Sequence, residues 1–272
     1  MTGSLKAETD RLSARYGRQS RGQATYERGA PVTAKTETRS SIEELTERLL
    51  PFAFPRGIRV DARQTGVVTS CLRKAVMQRA SDPLPPEISG HGADDLPHIA
   101  YLPLIDAGHP DARGDVTGIA ILVPTGRPDL ASAISTALTS GRPFHLEFAG
   151  ARLRMRPGDP EAVAARWTGP ARTWATITPV VLDRFPGPGR EAAEITRTCT
   201  RVGLPTPTAV TTHRNPLIPG GADLARNELA RREKTLRPYT HAKLEFREPL
   251  RGPMLLGAQR YLGMGMLLPI TG

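Results

Sequence analysis

Two spacings of apolar residues alternate along the chain, and they predict short helices and strands rather than long ones. Residues 42–49 carry an apolar stripe behind a capping box, which predicts a short helix. Apolar residues recur at helical spacing over 67–76, with basic residues on the opposite face, which predicts a longer helix. Residues 98–104 and 117–123 are rich in branched residues and predict two strands.

The rest of the first half continues this pattern. An apolar stripe over 129–138 predicts a second helix, and segments 144–148 and 152–155 predict a hairpin that turns at Ala149-Gly150. With an opening strand somewhere within 52–63, the order of elements becomes βαββαβ. This order is typical of a ferredoxin-like unit.

The second half repeats the same order of elements. The pattern predicts a helix over 192–202, a glycine-punctuated loop over 252–265, and strands over 173–182, 208–213, 239–247 and 266–269. The sequence therefore predicts an α+β fold of two tandem ferredoxin-like βαββαβ units, of the kind also found in RRM domains, with a C-terminal glycine-rich loop. We expect a basic arm and short helix over 1–50, a first unit over 51–165 and a second over 166–272.

The charge balance points to a polyanionic partner. Lys and Arg number 37 against 27 Asp and Glu, which gives a net charge of +10 and an isoelectric point near 10.3. Nucleic acid is the first candidate and an acidic membrane surface the second. The excess is concentrated in residues 184–272 and 1–60. Arginine dominates the basic residues, which suits phosphate contacts but also follows from a G+C-rich genome.

Other classes of protein are disfavoured by the sequence. The apolar runs are about half the ~20 residues that a membrane-spanning helix needs. Cys71 and Cys199 are too few for a disulfide framework or a cysteine-built zinc site, so we expect core thiols and a cytoplasmic location. No carboxylate cluster resembles a two-metal nuclease site, and we expect no cofactor and no metal.

The glycine-rich loop is the most specific segment of the chain. Gly257 and Gly263, with the glycines at 252 and 265, would let backbone N–H groups approach an anion. Arg260 and Tyr261 add a cation and a ring for stacking. The alternative is a tight connection before a buried strand.

At this loop the sequence resembles the RAMP endoribonucleases that process CRISPR precursor RNA. Four segments, SGHGADDLPHIAYLPL (89–104), GDVTGIAILVP (114–124), WATITPVVLDR (174–184) and HAKLEFREPLRGPMLLGAQRYLGMG (241–265), more narrowly resemble the C-terminal half of the subtype I-G (formerly I-U) Csb-two family. In that family a Cas-five-like half precedes a Cas-six-like nuclease. The resemblance covers roughly residues 60–269 and does not extend to the Cas-five-like half.

The resemblance implies a metal-independent endoribonuclease that cleaves CRISPR repeat hairpins. The ribose 2′-OH would attack the phosphate and leave a 2′,3′-cyclic phosphate and a 5′-OH, with a histidine for proton transfer. His91, in a glycine-flanked loop near the first helix, fits the family's catalytic histidine best, and His109 is the second candidate. Either histidine could instead be a loop residue without a catalytic role. His98 is more typical of a structural residue.

Several basic residues are candidates for RNA binding. Arg73 and Lys74 lie on the exposed face of the first long helix, and His241 and Lys243 lie on the polar face of a strand. A denser cluster lies between two predicted strands, at Arg226, Arg231, Arg232, Lys234 and Arg237. Each group could equally be a solvated surface. Because only 5% of residues are aromatic, recognition of hairpin shape is favoured over single-strand stacking.

The resemblance also predicts the partners of the chain. These are precursor and mature CRISPR RNA, together with other subunits of the type I-G Cascade, including a Cas-five-like half. The competing function is a non-catalytic subunit that binds CRISPR RNA in an interference complex.

Overall fold

The computed structural model describes residues 42–80, 82–89, 98–230 and 237–270, and shows a mixed α+β fold with antiparallel sheets. In the first half, residues 42–168, the helices are α1 (42–48), α2 (Thr65–Arg79), α3 (Pro86–Ser89), α4 (Pro128–Thr139) and α5 (Pro160–Thr168). The strands of this half are β1 (Leu49–Ala53), β2 (Val60–Asp61), β3 (Ala100–Ile105), β4 (Asp115–Leu122), β5 (His145–Phe148), β6 (Ala151–Arg154) and β7 (Arg156–Pro157).

The second half, residues 171–270, has one α-helix among its described residues, α6 (Glu191–Arg201). Its strands are β8 (Ala171–Thr176), β9 (Val180–Val181), β10 (Ala209–His213), β11 (Tyr239–Leu250), β12 (Met254–Leu255) and β13 (Met266–Ile270). Short 3₁₀ helices cover Arg226–Glu228 and Arg260–Leu262. Most of the predicted elements are therefore confirmed, including the hairpin that turns at Ala149-Gly150.

The two large sheets have related strand orders. In the first, β4 pairs with β3 along one edge and with β1 along the other, and β1 then pairs with β7. In the second, β8 lies between β11 and β13, and β11 pairs in turn with β10. The spatial orders are thus β7-β1-β4-β3 and β13-β8-β11-β10. In the chain, α2 lies between β1 and β3, and α6 lies between β8 and β10.

The two faces of the second sheet belong to different cores. Trp174, Leu244 and Leu267 pack against α6 through Ile195 and Cys199 and form a separate cluster. The opposite face of this sheet packs into the large apolar cluster that forms the core of the first half. Residues of the second half in that cluster include Ile177, Ala222, Met264, Met266 and Leu268. Strand alternation explains this division, because neighbouring residues of β13 point to opposite faces. The two halves are consequently joined by apolar packing.

The single strand predicted over 173–182 is divided into β8 and β9. Two further differences lie near the ends of the first half. The predicted opening strand begins earlier, because Leu49–Ala53 already pairs with β4 over its whole length. Helix α5 was not predicted, although Asp159 caps it through the backbone N–H groups of Glu161 and Ala162 and Pro160 begins its first turn. This helix runs across the predicted boundary at 165–166, and the division into domains stays a prediction.

Within the described part of the chain, none of the helices combines the length and the apolar character that crossing a bilayer requires. Cys199 is buried and its pKa is raised by desolvation to about 11, as expected for a core thiol. Cys71 is half-buried, and burial raises its pKa as well.

Candidate nucleic-acid interface

A cleft of about 800 Å³ opens between the two halves. From the first half it is lined by the start of β3, at Ala100, and by the end of β4, at Leu122. From the second half it is lined by the end of α6, by β12 and by the 3₁₀ helix Arg260–Leu262. The glycine-rich loop therefore forms one wall of this cleft.

The lining of the cleft is strongly basic. Its charged residues are four arginines and one aspartate, which give a formal net charge of +3. The arginines are Arg48, Arg201, Arg237 and Arg260, and the aspartate is Asp183. The Asp183 carboxylate forms an ion pair with Arg201, and its backbone carbonyl accepts a hydrogen bond from Arg237 Nη1 at 2.6 Å. These bonds fix two guanidinium groups at the wall, and the remaining excess of positive charge suits a phosphate backbone.

Arg48 is a half-buried arginine of this lining. Its Nη1 donates to the carbonyl oxygen of Val123 at 3.0 Å. Burial lowers the pKa of the Arg48 guanidinium, and the neighbouring Glu44 carboxylate opposes this shift. A bound anion would stabilise the charged guanidinium in the same way as Glu44 does.

Tyr261 is the centre of a compact polar and aromatic group. The Cζ atom of Arg260 lies 4.4 Å above the centre of the tyrosine ring, and Arg260 Nη2 donates to the Tyr261 hydroxyl at 3.2 Å. The imidazole of His98 meets the same ring edge to face, with centroids 5.0 Å apart. Arg260 also donates from Nη1 to the carbonyl oxygen of Gly257 at 3.2 Å. The cleft thus brings an imidazole, a phenol and a guanidinium together.

Three of the predicted RNA-binding residues meet in this cleft, namely Arg237, Arg260 and Tyr261. Arg226 is adjacent, because its Nη1 donates to the carbonyl oxygen of Arg237 at 3.3 Å. Arg226 and Arg214 also lie over the ring of Tyr239, at 5.8 and 4.7 Å from its centre. A basic surface therefore continues from the cleft toward β11.

The glycines of the loop have a different role from the predicted one. A Cβ atom on Gly257, where φ is +88°, would lie 2.4 Å from the carbonyl oxygen of Val181. A Cβ atom on Gly263 would lie 2.7 Å from Pro103 Cδ. Both residues are buried. These glycines are therefore explained by close packing inside the protein, which corrects the interpretation that they leave room for an anion.

The sequence matches the family described as "CRISPR-associated protein, GSU0054 family" over residues 49–269. The chain belongs to this family. The predicted association with CRISPR systems is therefore confirmed. The narrower resemblance to the C-terminal half of Csb-two stays a prediction.

Solved structures similar to this GSU0054-family protein are remote in sequence. One is described as "An RAMP protein binding different RNA substrates", with 13% identity, a TM-score of 0.43 and coverage of 82% of this chain and 98% of the other. A "CRISPR associated protein Cas6" has 9% identity and a TM-score of 0.42, with coverage of 82% of this chain and 98% of the other. A Cas6-related protein from Pyrococcus furiosus has 12% identity and a TM-score of 0.39, with coverage of 81% of this chain and 95% of the other. No curated protein matches the chain.

Other predicted residues of the GSU0054-family protein lie away from the cleft. Arg73 donates to the carbonyl oxygen of Ser89, which fixes α3 against α2. Lys74 lines a separate surface pocket beside the β5-β6 hairpin. Lys243 Nζ lies 3.6 Å from Glu245 Oε1 on the exposed part of β11. For these residues the structure supports the solvated-surface alternative more than a shared site.

His109 lies in the loop between β3 and β4. Its Nε2 is 2.7 Å from Asp106 Oδ1, and this hydrogen bond is the main cause of a lowered pKa at Asp106. His98 precedes β3 and His109 follows it, so they lie beyond opposite ends of a strand of 6 residues that is about 20 Å long. His109 is therefore separated from the cleft. Four further predicted residues lie outside the described residues: His91, Arg231, Arg232 and Lys234.

The prediction that His241 lies on an exposed strand face is wrong. Its side chain is buried, with Nδ1 at 3.0 Å from Thr176 Oγ1 and Nε2 at 3.0 Å from the carbonyl oxygen of Ala222. The segment that contains Ala222 covers this end of β11, and the exposed alternation begins only at Lys243. His241 therefore contributes to packing and not to an RNA-binding surface.

Burial gives His241 a testable effect on stability. Desolvation lowers its pKa in the folded protein, so the unfolded chain binds the proton more tightly. The stability that the neutral ring contributes is present above the unfolded pKa of about 6.5 and declines as the pH falls below it. We expect urea unfolding to show a steeper loss of stability from about pH 7.5 to about pH 5 in the wild type than in His241→Gln. Parallel declines would contradict this assignment.

Three residues of the cleft were not predicted as functional, namely Arg48, His98 and Arg201. The sequence places Arg48 near the end of a short helix and Arg201 at the end of α6, where a basic residue is ordinary. His98 carries a signal, because it is the first residue of the predicted strand 98–104 and lies inside one of the four family-like segments. Only the folded chain brings the three together.

Proposed function

We propose that this protein binds CRISPR repeat hairpins and cleaves precursor CRISPR RNA without a metal ion. The observation that carries the proposal is the arginine-lined cleft, with an imidazole and a tyrosine in its wall, in a chain of a CRISPR-associated family. The basic surface beside it, at Arg214 and Arg226, would extend the contact with the RNA stem.

We also propose that the two sheets are the cores of two ferredoxin-like units. In support, each sheet has the spatial order of its fourth, first, third and second strands, if β7 and β13 are taken as the fourth strands. The second helix of the first unit would be α4. In the second unit the corresponding connection runs through residues 251–265 and contains the glycine-rich loop and β12.

The chemistry that this cleft would supply is electrostatic and acid–base. Guanidinium groups held by Asp183 and Tyr261 would stabilise the extra negative charge of a phosphorane-like transition state. A histidine would take the proton of the ribose 2′-OH as the 2′ oxygen attacks phosphorus, and the 5′ oxygen would leave as a hydroxyl. The products would be a 2′,3′-cyclic phosphate and a 5′-OH.

After cleavage we expect the protein to stay on the 3′ hairpin. A large basic contact area gives slow release of RNA, and so few turnovers. The partners would then be mature CRISPR RNA and the subunits of a type I-G Cascade, including a Cas-five-like half. The alternative is a subunit with the same RNA contacts and no cleavage activity.

Incubation of the purified protein with a repeat-containing RNA in excess EDTA tests the proposal. We expect cleavage at one position, with product ends that carry a cyclic phosphate. His91→Ala should abolish cleavage and keep binding if His91 is the catalytic residue, as the family resemblance implies. Binding without cleavage by the wild type, with or without added magnesium, would favour the non-catalytic alternative, and cleavage only with magnesium would overturn the metal-independent mechanism.

A further inference from the structure

We infer that His98 is the imidazole that acts on the RNA in the cleft and that Tyr261 is the residue that positions it. This inference rests on the proposed cleavage of CRISPR RNA, and it names the groups that perform it. It differs from the expectation drawn from the sequence, which places the catalytic group at His91 or His109.

The contact between His98 and Tyr261 joins the two halves across the cleft. His98 stands at the entrance to β3, and Tyr261 lies in the 3₁₀ helix of the glycine-rich loop. Their rings meet at an interplanar angle of 85°, which is the edge-to-face arrangement that aromatic pairs favour. The position of the imidazole in the cleft therefore depends on residue 261.

Tyr261 also fixes the nearest cation. Its ring lies under the guanidinium of Arg260, and its hydroxyl accepts from Arg260 Nη2. Because Arg260 covers the ring and His98 meets it edge to face, Tyr261 is better suited to hold these two groups than to stack on a base. The bonds to Tyr261 and Gly257 use two of the five N–H donors of Arg260, which leaves donors for a phosphate oxygen.

The surroundings of His98 suit a general base. His98 lies in the lining of the arginine-rich cleft, where a phosphate would bind, and imidazole is the usual side chain for proton transfer near neutral pH. In the proposed step, a His98 ring nitrogen takes the 2′-OH proton as the 2′ oxygen bonds to phosphorus. The bond between phosphorus and the 5′ oxygen then breaks, and the 5′ oxygen takes a proton from the imidazolium or from water.

His109 does not offer the same arrangement. Its ring is hydrogen-bonded to Asp106 at the far end of β3, and Arg166 donates to the carbonyl oxygen of Ala107 in the same loop. These hydrogen bonds hold the loop between β3 and β4 in place. We therefore assign His109 a structural role, and it becomes the matched control for His98.

Single-turnover cleavage of a repeat hairpin in EDTA, with affinity measured separately by fluorescence anisotropy, tests the inference. We expect His98→Ala and His98→Asn to slow cleavage by about 10²–10⁴-fold while affinity changes little, because the arginines of the cleft supply the phosphate contacts. Added imidazole should restore part of the rate of His98→Ala, and His109→Ala should cleave like the wild type.

Tyr261 needs a readout that separates positioning from folding. Tyr261→Phe keeps the ring against His98 and should retain most of the cleavage rate, whereas Tyr261→Leu should lose at least about tenfold. Thermal melting of each variant establishes that the protein is folded. Equal rates for the two Tyr261 variants would overturn the positioning role.

The outcomes separate the inference from the proposed function. If the wild type cleaves and folded His98→Ala cleaves equally fast, or is slow and not rescued by imidazole, then His98 is not the base and the proposed function stands. If the wild type binds RNA and does not cleave it under any metal condition, the proposed nuclease activity fails, and the role of His98 fails with it.

Discussion

Replacement of Arg201 and Arg260 together by alanine is expected to weaken binding of a repeat hairpin RNA by at least about 100-fold at low salt. Each residue would lose a charge-assisted contact worth about 1.5–3 kcal/mol, and about 1.4 kcal/mol corresponds to a tenfold change in affinity. Loss of Arg201 also leaves the Asp183 carboxylate without its ion pair at the wall of the cleft. Fluorescence anisotropy with labelled RNA over a series of salt concentrations measures both effects.

The salt dependence makes this prediction specific to phosphate contacts. Each lost contact should reduce the slope of log affinity against log salt by about 0.7–0.9, so the double variant should lose about 1.4–1.8. Arg59→Ala combined with Arg172→Ala is the matched control, because both residues are exposed and paired with Asp115 and Glu248 away from the cleft. Equal losses in the two double variants would show that net charge, and not the cleft, determines binding.

Gly257→Ala is expected to destabilise the protein by about 3 kcal/mol. Left-handed backbone costs a non-glycine residue about 1–2 kcal/mol, and overpacking typically adds about 1–3 kcal/mol. The new Cβ atom would meet the carbonyl oxygen of Val181, which cannot simply move away because it accepts the Ala258 N–H at 2.8 Å. Urea unfolding monitored by tryptophan fluorescence measures the change.

Gly150→Ala separates the two sources of this cost. Gly150 has a similar φ of +78°, and no atom of the described residues lies within 4 Å of the position of its Cβ. It should therefore lose only about 1–2 kcal/mol, the conformational part. If Gly257→Ala and Gly150→Ala were equally stable, close packing would not explain the glycine at 257.

The elements that could be predicted from the sequence are those specified by local pattern. The hairpin at Ala149-Gly150 and the stripe of α6 are examples, because turn chemistry and helical spacing operate over a few residues. Helix α5 has a local signal in Asp159-Pro160, but its apolar stripe is too short to stand out from the surrounding turn residues. Strand β1 was placed too late because the apolar stripe of the preceding helix also includes Leu49.

The candidate site depends on contacts that local pattern does not contain. Alternation correctly predicts that Ala242 and Leu244 face a core, and it fails at His241 because a distant segment covers the opposite face. The cleft likewise joins Arg48, His98 and Arg260, which are far apart in the chain. Pairing between β8, β11 and β13 and the packing of the two halves bring these residues together, and periodicity carries no information about either.

Photo-crosslinking of a thiouridine-labelled repeat hairpin, followed by mass spectrometry of the peptides, tests the central claim most directly. The cleft between the two halves predicts adducts on the peptides that contain Tyr261 and His98, and their loss in the Arg201→Ala, Arg260→Ala double variant. Adducts confined to the β5-β6 hairpin or to the exposed strand β10, unchanged in the double variant, would contradict the claim that this cleft holds the RNA.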